Sequence, residues 1–289
     1  MPDTVYFNGS YMPKDDVRLS PDDRGFLLSD GIYEVVRVYR AAPFELDAHV
    51  ERLADGLAAI RIEGVRAEMM AEVTSELIGQ NGLEDDDACV YVQVTRGAAA
   101  RTHHFPSGPV TPTFYATAWA FTPTTDPAVG VEVVTAPDHR WTRCDIKSVS
   151  LLANVLAAQQ ANEAGAYEAV LVRDGIALEG TRTSLLGVID GVVRTAPLSN
   201  YILPSITRRV ALDLCREAGI PVDERPMLLA EFRAADELFL AGTTTEVMPI
   251  VRADGRSVGT GRPGPVTTEL ARRFAGLVAG LVGHGVGGR

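Results

Sequence analysis

Lysine is almost absent from this chain. Of its 27 lysines and arginines, only Lys14 and Lys147 are lysine, and the rest are arginine. Charge alone does not explain a lysine, because both side chains carry one positive charge. Arginine keeps its proton at physiological pH, whereas lysine releases its proton once burial or a neighbouring cation lowers its pKa. A lysine here is therefore a candidate for chemistry that arginine cannot perform.

Cysteine is scarce as well. Cys89, Cys144 and Cys215 are far apart and odd in number, which excludes a disulfide framework and the spacing of a zinc site, so no metal is expected. The first residues lack the basic and apolar segments of a signal peptide, and no apolar run approaches the roughly 18 residues of a membrane helix. We therefore expect a cytoplasmic protein, since free thiols suit a reducing compartment.

Positive charge is also in deficit. The net charge is −11, and no basic stripe of the kind that binds nucleic acid is visible. With 289 residues, of which 46% are hydrophobic and 22% charged, the composition is that of an ordinary globular protein with one large or two medium domains. Any anionic ligand has to be bound by a locally cationic pocket, because the negative net charge of the protein repels it.

Helical and strand patterns are mixed along the chain without a regular alternation. The segment TPTTDPAVG predicts a linker over 121–130, between an N-terminal α/β domain over 1–120 and a C-terminal α/β domain over 131–289 that carries Lys147. Apolar residues at helical spacing follow Asp47, which is the expected N-cap of that helix. Two Asp-Gly pairs in the C-terminal half predict hairpins. The fold class is therefore mixed α/β with two domains.

The segment RWTRCDIKS, residues 140–148, surrounds Lys147 with features that suit a reactive amine. Ile146 precedes it, the apolar SVSLLANVL follows, and Arg143 is close in sequence. Burial and a nearby cation both lower the pKa of a lysine, and a neutral amine can form a Schiff base. The alternative is an ordinary surface lysine, and this segment alone favours neither interpretation.

Other segments offer what a pyridoxal-phosphate enzyme needs besides its lysine. A carboxylate has to keep the pyridine nitrogen protonated, and Glu179 ends a short strand after an Asp-Gly turn. The phosphate needs an anion site, and Ser205 begins a helix whose backbone N–H groups could bind one. The segment AGTTTE after a strand offers further hydroxyls. Each signal alone is weak, because hydroxyl-rich turns and single glutamates are common on surfaces.

Together these motifs resemble the fold-type IV pyridoxal-phosphate enzymes, and in particular the bacterial D-amino-acid transaminases. The resemblance covers almost the whole chain, and the lysine segment is its most specific part. It rests on these segments: DRGFLLSDGIYEVVRVY, HVERL, YVQVTRG followed by RTHHFP, RCDIKSVSLLANVLAAQQANEAGAYEAVL, YILPSITRR and TTTE.

The resemblance implies pyridoxal 5′-phosphate as the cofactor and assigns roles to individual residues. Lys147 would be the Schiff-base lysine and proton carrier, and Glu179 the partner of the pyridine nitrogen. The implied phosphate ligands are Arg52, the backbone N–H groups of Ile206 and Thr207, and the hydroxyl of Thr243 or Thr244. The implied carboxylate-binding residues are Tyr33, Arg101 and His103. In this family the arginine and histidine reach in from the other subunit, so the resemblance also implies an obligate homodimer.

The segment GTRTS after Glu179 departs from the family pattern, which has small residues and then an asparagine. Arg182 is the unusual residue. One hypothesis is that Arg182 is a second carboxylate-binding group. It would take the α-carboxylate while Arg101 takes the distal carboxylate of a D-glutamate-like substrate, or the two arginines would share one carboxylate. The alternative is that Arg182 pairs with an acidic residue on the surface.

The expected activity is transfer of an amino group from a D-amino acid, of the D-alanine or D-glutamate type, to a 2-oxo acid by a ping-pong mechanism. Alternatives on the same fold are a branched-chain L-amino-acid or (R)-amine transaminase and an aminodeoxychorismate-lyase-like elimination. A binding protein that keeps the fold without catalysis is a further class. The RTH loop argues against the branched-chain version, and the set of Lys147, Glu179 and Arg52 argues against the non-catalytic one.

Overall fold

The structure, a computed structural model, describes residues 3–285 and divides into two compact units. The first takes in the described chain up to Thr122, together with Ile146–Ser150 and the end of the last helix from Gly280. The second comprises Pro123–Asp145 and Leu151–Ala279. Both units combine helices with strands, and the predicted mixed α/β fold class is confirmed. Among the described residues, no helix has the length and apolar character needed to cross a membrane.

The first unit is built on a six-stranded antiparallel sheet with the strand order β2-β1-β6-β5-β3-β4. Its strands are β1 Thr4–Phe7, β2 Ser10–Pro13, β3 Gly31–Tyr39, β4 Ala42–Pro43, β5 Asp87–Thr95 and β6 Thr113–Ala120, and its helices are α1 Arg24–Leu28, α2 Leu46–Ala59 and α3 Met69–Gln80. The alternating valines of the predicted strand in β5, at positions 90, 92 and 94, are all fully buried.

Helices α2 and α3 contribute to the core of this unit. Leu53 and Leu57 of α2 and Met70 and Leu77 of α3 join the apolar residues of β3, β5 and β6 in one cluster. The helical spacing predicted for α2 is confirmed, but its predicted N-cap is wrong. The cap is Glu45, with φ at +53°, and Asp47 lies inside the first turn. An acidic residue in the first turn still stabilises the helix through its dipole.

The second unit contains a ten-stranded sheet and four helices. The strands are β7 Val131–Pro137, β8 Glu168–Arg173, β9 Ile176–Gly180, β10 Ser184–Ile189, β11 Val192–Arg194, β12 Val222–Asp223, β13 Met227–Leu228, β14 Glu237–Gly242, β15 Glu246–Ala253 and β16 Arg256–Ser257. The helices are α4 Leu152–Glu163, α5 Ile206–Glu217, α6 Leu229–Ala234 and α7 Pro265–Gly285.

Six strands of this sheet close on themselves in the order β10-β14-β15-β7-β8-β9, because Glu179 of β9 pairs with Ser184 of β10. Both predicted Asp-Gly hairpins are confirmed. Asp174 and Gly175 join β8 to β9, Asp190 and Gly191 join β10 to β11, and all four have positive φ as type I′ turns require.

The segment Ile146–Ser150 groups with the first unit, whereas the sequence placed Lys147 in the C-terminal domain. The reason is local pairing. Ser148 forms a bridge with Ile32, and the N–H of Val149 donates to the carbonyl of Gly31 over 3.1 Å. The boundaries 1–120, 121–130 and 131–289 remain predictions.

Candidate active site

Lys147 lies beside strand β3 of the first unit. Its backbone carbonyl accepts a 3.0 Å hydrogen bond from the N–H of Tyr33, and its Nζ lies 4.3 Å from the centroid of the Tyr33 ring. The lysine is half-buried. Within residues 3–285, its amine makes neither an ion pair nor a hydrogen bond. Arg143, considered above as a neighbouring cation, is exposed and paired with Asp145 at 2.8 Å.

Strand β3 also carries a buried carboxylate that binds the predicted phosphate arginine. Glu34 is fully buried, and its two oxygens accept from Arg52 Nε at 2.7 Å and Nη2 at 2.8 Å. The Nδ1 of the buried His49 lies 2.8 Å from the same carboxylate. Glu34 therefore fixes the orientation of the Arg52 guanidinium, since a bidentate pair restricts it geometrically.

The charges of this cluster are well defined. Burial opposes ionisation of Glu34, but the charge and hydrogen bonds of Arg52, with His49 and the Lys147 charge, outweigh it and lower the pKa of Glu34 to about 2. Burial lowers the pKa of His49 below its ordinary value despite the carboxylate beside it. At neutral pH the carboxylate is therefore charged and the imidazole is neutral. A neutral imidazole that faces a carboxylate carries its proton on Nδ1 and donates it.

In the second unit, Glu179 lies at the point where the strands close. It is 5% exposed, and it accepts from Arg140 Nη1 at 2.5 Å and from the backbone N–H of Leu203 at 3.2 Å. Desolvation raises the pKa of Glu179 to about 7, against the opposing charge of Arg140. The carboxylate is thus placed where a cationic partner would restore its full ionisation.

Arg140 is itself held by a buried anion. Asp138 binds its Nε at 2.9 Å and its Nη2 at 3.0 Å, and Arg173 reaches the same carboxylate at 3.0 Å. Burial disfavours the Asp138 charge, but the two guanidinium groups outweigh it and lower its pKa. Four side chains therefore form a chain of alternating charge that ends at Glu179.

The start of helix α5 offers unused hydrogen-bond donors three and four residues after Leu203, whose N–H donates to Glu179. Ser205 caps the helix by accepting from the N–H of Arg208 at 3.2 Å. The N–H groups of the buried Ile206 and Thr207 have no acceptor within the described chain. Orphan donors at a helix N-terminus form a ready site for an anion.

Thr243 and Thr244 lie in the turn between β14 and β15 and are half-buried. In the part of the chain that the structure describes, neither hydroxyl has a hydrogen-bond partner. Their neighbour Thr245 differs, since its hydroxyl lies 3.0 Å from the hydroxyl of Tyr167. Both predicted hydroxyls are therefore available to a ligand.

Arg182 projects from the turn between β9 and β10 and is 59% exposed. Its guanidinium carbon lies 5.2 Å from the centroid of the Tyr167 ring, and its Nε lies 3.9 Å from the carboxylate of Glu168. Glu168 is buried and is already bound by the hydroxyls of Thr181 and Thr183. The ion pair is long and solvated, so it contributes little, and the side chain can leave it at small cost.

Arg101 and His103 lie on a loop of the first unit between β5 and β6, and both are exposed. Neither side chain forms a hydrogen bond or an ion pair with any residue in the 3–285 range. The loop backbone is ordered by its own contacts, since the hydroxyl of Thr102 donates to the carbonyl of His104 at 3.0 Å. The loop therefore presents both side chains to solvent.

The structure thus brings the predicted residues together in separate groups within each unit. Tyr33, Lys147 and, through Glu34, Arg52 form one group, and Glu179 with the start of α5 forms another. The assigned roles remain predictions. Sequence reasoning missed Glu34, His49 and Arg140. Glu34 had a signal, because it occupies the apolar face of β3 between the buried Ile32 and Val36, where an unpaired carboxylate is costly.

The residues fit pyridoxal phosphate. The phosphate would take the free N–H groups of Ile206 and Thr207, which have no acceptor in the described chain. The protonated ring nitrogen would supply the cation that the buried Glu179, with its raised pKa, requires for full ionisation.

Comparison with known proteins agrees with this geometry. The family model described as amino-transferase class IV matches residues 31–253. The D-alanine aminotransferase of Bacillus licheniformis is 41% identical over 92% of this chain and 94% of its own. That of Staphylococcus haemolyticus is 36% identical over 93% of this chain and 96% of its own.

Solved structures show the same likeness. The Escherichia coli branched-chain amino acid aminotransferase has a TM-score of 0.87 at 26% identity, over 96% of this chain and 95% of its own. The T.th. branched-chain amino acid aminotransferase with pyridoxamine 5′-phosphate has a TM-score of 0.86 at 25% identity, over 97% of this chain and 95% of its own. This chain therefore belongs to the class IV aminotransferases, which have the type IV fold and use pyridoxal phosphate.

Proposed function

We propose that the protein is a D-amino-acid aminotransferase, which moves the amino group of a D-alanine- or D-glutamate-type substrate to a 2-oxo acid by a ping-pong mechanism. The observation that carries this proposal is the half-buried, unpaired amine of Lys147, 4.3 Å from the Tyr33 ring centroid. The chain covers over nine tenths of relatives described as D-alanine aminotransferases at 36% and 41% identity, which supports the substrate class.

Bound pyridoxal phosphate acts as an electron sink for the substrate Cα when its ring nitrogen is protonated. Glu179 stabilises that proton, because an ionised carboxylate beside a cation lowers the free energy of both charges. Arg140 favours the ionised form of Glu179 through its charge and its 2.5 Å hydrogen bond, against the burial that raises the pKa of this carboxyl group. Asp138 in turn holds Arg140 in place, so the position of the carboxylate depends on a buried network rather than on one contact.

Lys147 carries the proton. Its amine would accept the proton from the substrate Cα and later donate one, which is general acid–base catalysis by one group. The Tyr33 ring beneath Nζ limits the directions that the amine can take. Arg52, aligned by Glu34, and the N–H groups at the start of α5 anchor the phosphate, with Thr243 or Thr244 as hydroxyl donor. These anchors bind ground state and transition state alike.

Tyr33, Arg101 and His103 would bind the α-carboxylate of the substrate. Because these three side chains would hold the carboxylate in one place, they would decide which enantiomer directs its Cα–H toward Lys147. We propose Arg182 as a second carboxylate-binding residue. Its ion pair with Glu168 is long, so its guanidinium group can bind a distal carboxylate of the substrate.

We also propose a homodimer in which Arg101 and His103 serve the site of the other subunit. Their exposure and lack of partners within the described chain support this. Helix α4 supports it too, because Leu152, Val155 and Leu156 lie on one face and are 72%, 58% and 64% exposed. Exposed apolar patches of this kind mark interaction sites. All three cysteines are buried free thiols, which suits a cytoplasmic enzyme.

The branched-chain aminotransferases are the second candidate, because solved structures of that name share the fold at TM-scores of 0.86 and 0.87. The test is a half-reaction on acceptor-free protein loaded with cofactor. D-Alanine, D-glutamate, L-leucine and (R)-phenylethylamine are added separately, and the visible absorbance of the cofactor is followed. Bleaching by the D-amino acids alone is expected. Bleaching by L-leucine or by the amine alone would refute the D-specific proposal and leave the lysine assignment intact.

The chain supplies its own control for that assignment, since it has only two lysines. Lys147→Arg is expected to abolish bleaching and to lose the covalent cofactor adduct that borohydride fixes in the native protein. Lys14→Arg should behave as the wild type in both measurements. If Lys147→Arg kept the adduct, another amine of the chain would be the one that reacts with the cofactor.

A further inference from the structure

The loop that carries Arg101 and His103 is tied to a cluster of buried charges in its own chain. We propose that Arg24, Asp30 and Arg96 form a clamp that positions this loop, so that they determine the affinity for the substrate carboxylate. The inference rests on the proposed function, and it extends that function to residues that do not touch the substrate.

Asp30 is the centre of the clamp. One of its oxygens accepts from Arg24 Nε at 2.8 Å and from Arg96 Nε at 2.7 Å, and the other accepts from Arg96 Nη2 at 3.0 Å. Burial disfavours its charge, but the hydrogen bonds and charges of the two arginines outweigh burial and hold the pKa of Asp30 below its ordinary value. The carboxylate therefore stays ionised and joins two guanidinium groups that would otherwise repel each other.

Arg24 connects this centre to the loop. Its side chain is 2% exposed, and its Nη1 donates to the carbonyl oxygen of Thr102 at 2.7 Å. Thr102 lies between Arg101 and His103 in sequence, so this bond fixes the backbone at the middle of the pair. The backbone reinforces it, because the N–H of Arg24 donates to Gly97 at 2.9 Å and that of Ala99 donates to Asp22 at 3.2 Å.

Arg96 holds the far end of the loop. Its guanidinium lies 3.8 Å from the centroid of the Phe105 ring, a short cation–π contact. The same group donates to the carbonyls of Ile60 at 2.6 Å and Arg61 at 2.8 Å, at the end of helix α2. The ring is therefore fixed against a helix that belongs to the core of the unit.

The turn that leads into the loop tolerates only glycine. Gly97 has φ at +92°, and a Cβ at this position would collide with the carbonyl oxygen of Thr111. The loop is thus fixed at Gly97, Thr102 and Phe105, on both sides of Arg101 and His103, whose own side chains have no partner in residues 3–285. Such preorganisation raises affinity by removing the entropy that a mobile loop would lose on binding.

Two variants test the clamp in full-length protein loaded with cofactor. Arg24→Lys keeps the charge but cannot reach Asp30 and Thr102 together. Its matched control is Arg37→Lys, since Arg37 is also 2% exposed and paired with a carboxylate, Asp87, away from the loop. Phe105→Ala removes the ring from Arg96, and its control is Trp119→Ala. These two aromatic side chains are 44% and 41% exposed, so neither substitution empties a core.

The readouts are the dissociation constant of propionate, followed by the change in cofactor absorbance, together with kcat, KM and melting temperature. Propionate carries a carboxylate and no amino group, so it reports the carboxylate site without chemistry. We expect both loop variants to raise the propionate dissociation constant and the KM for D-alanine, by about tenfold for Arg24→Lys, with kcat changed less than about threefold, because the lost interaction is uniform binding.

The result that would overturn the clamp is distinct from the result that would overturn the proposed function. Loop variants that match their controls in propionate affinity and KM would overturn the clamp, with D-amino-acid transfer intact. Wild-type protein that neither bleaches with D-alanine nor binds propionate would overturn the proposed function instead. Should Arg24→Lys fail to fold, the surface variant Phe105→Ala decides alone.

Discussion

Arg140 Nη1 donates to Glu179 Oε1 across 2.5 Å, and both side chains are buried, at 8% and 7% exposed. In such surroundings the charge of Glu179 depends on its neighbour, because little water is present to stabilise it. We therefore assign Arg140, which was not among the residues predicted from the sequence, a positioning and electrostatic role for Glu179, the proposed partner of the ring nitrogen.

Replacement of Arg140 by glutamine should therefore reduce turnover. Without the cation, Glu179 would hold its own proton more tightly and would stabilise a protonated ring nitrogen less. We expect kcat for D-alanine to fall by about tenfold to a hundredfold, which is less than the roughly hundredfold to thousandfold loss when a donor in direct contact with the reacting atoms is removed. Arg143→Gln is the control, since Arg143 is three residues away, exposed and paired only with Asp145. Equal kcat values for the two variants would show that Arg140 has no such role.

The raised pKa of Glu179 also predicts how the stability of cofactor-free protein depends on pH. The folded protein raises this pKa from 4.5 to about 7, so the folded state binds the proton more tightly than the unfolded state does. The resulting stabilisation is complete below about pH 4.5 and is lost as the pH rises toward 7, on the order of 3 kcal/mol at 1.36 kcal/mol per pKa unit.

Urea unfolding across this pH range measures that loss. In Glu179→Gln, the free energy of unfolding should not fall in this way between pH 4.5 and pH 7. Glu34→Gln gives the opposite case, because the pKa of Glu34 is lowered to about 2, and its stabilisation is present above pH 4.5 and lost only toward pH 2. The free energy of unfolding of Glu34→Gln should therefore still fall between pH 4.5 and pH 7. If the free energy of unfolding of Glu179→Gln still fell between pH 4.5 and pH 7, another titrating group would be responsible.

Local rules predicted much of this fold, and they failed where tertiary contacts decide. The Asp-Gly hairpins and the valines of β5 follow from turn chemistry and alternation, and both were predictable. The cap of α2 was not, because Glu45 adopts a positive φ that no local preference for glutamate indicates. Glu34 could have been found from its place on an apolar face. Its partners His49 and Arg52, 15 and 18 residues further on, are brought to it by packing of α2.

Arg182 gives a third prediction. Its ion pair with Glu168 is 3.9 Å long and 59% of its side chain is exposed, so breaking the pair changes stability little. If Arg182 binds the distal carboxylate, Arg182→Ala should raise the KM for D-glutamate and 2-oxoglutarate by about tenfold and that for D-alanine less, as one charge-assisted pair is worth about 1.5–3 kcal/mol. Arg256→Ala, at an exposed arginine of the same unit, is the control. Unchanged Michaelis constants for D-alanine and 2-oxoglutarate would leave Arg182 as a surface partner of Glu168.

The exposure of Arg101 predicts complementation between two inactive chains. Lys147→Ala lacks the proton carrier, and Arg101→Ala lacks the carboxylate ligand, so each homodimer is expected to be nearly inactive. In a mixed dimer, one site combines the intact Lys147 of one chain with the intact Arg101 of the other. Random reassortment gives half mixed dimers with one working site each, so about a quarter of wild-type activity should return.

The measurement is D-alanine turnover after the two purified variants are unfolded together, refolded and loaded with cofactor, with each variant refolded alone as the control. Arg66→Ala in place of Arg101→Ala is the control for recovery of activity through unfolding and refolding. That arginine lies outside both groups of site residues, so its chains should already be active before mixing. Activity that failed to return in dimers known to be mixed would mean that Arg101 serves the site of its own chain. The loop would then have to reach Tyr33 within one subunit, and the two subunits would act independently.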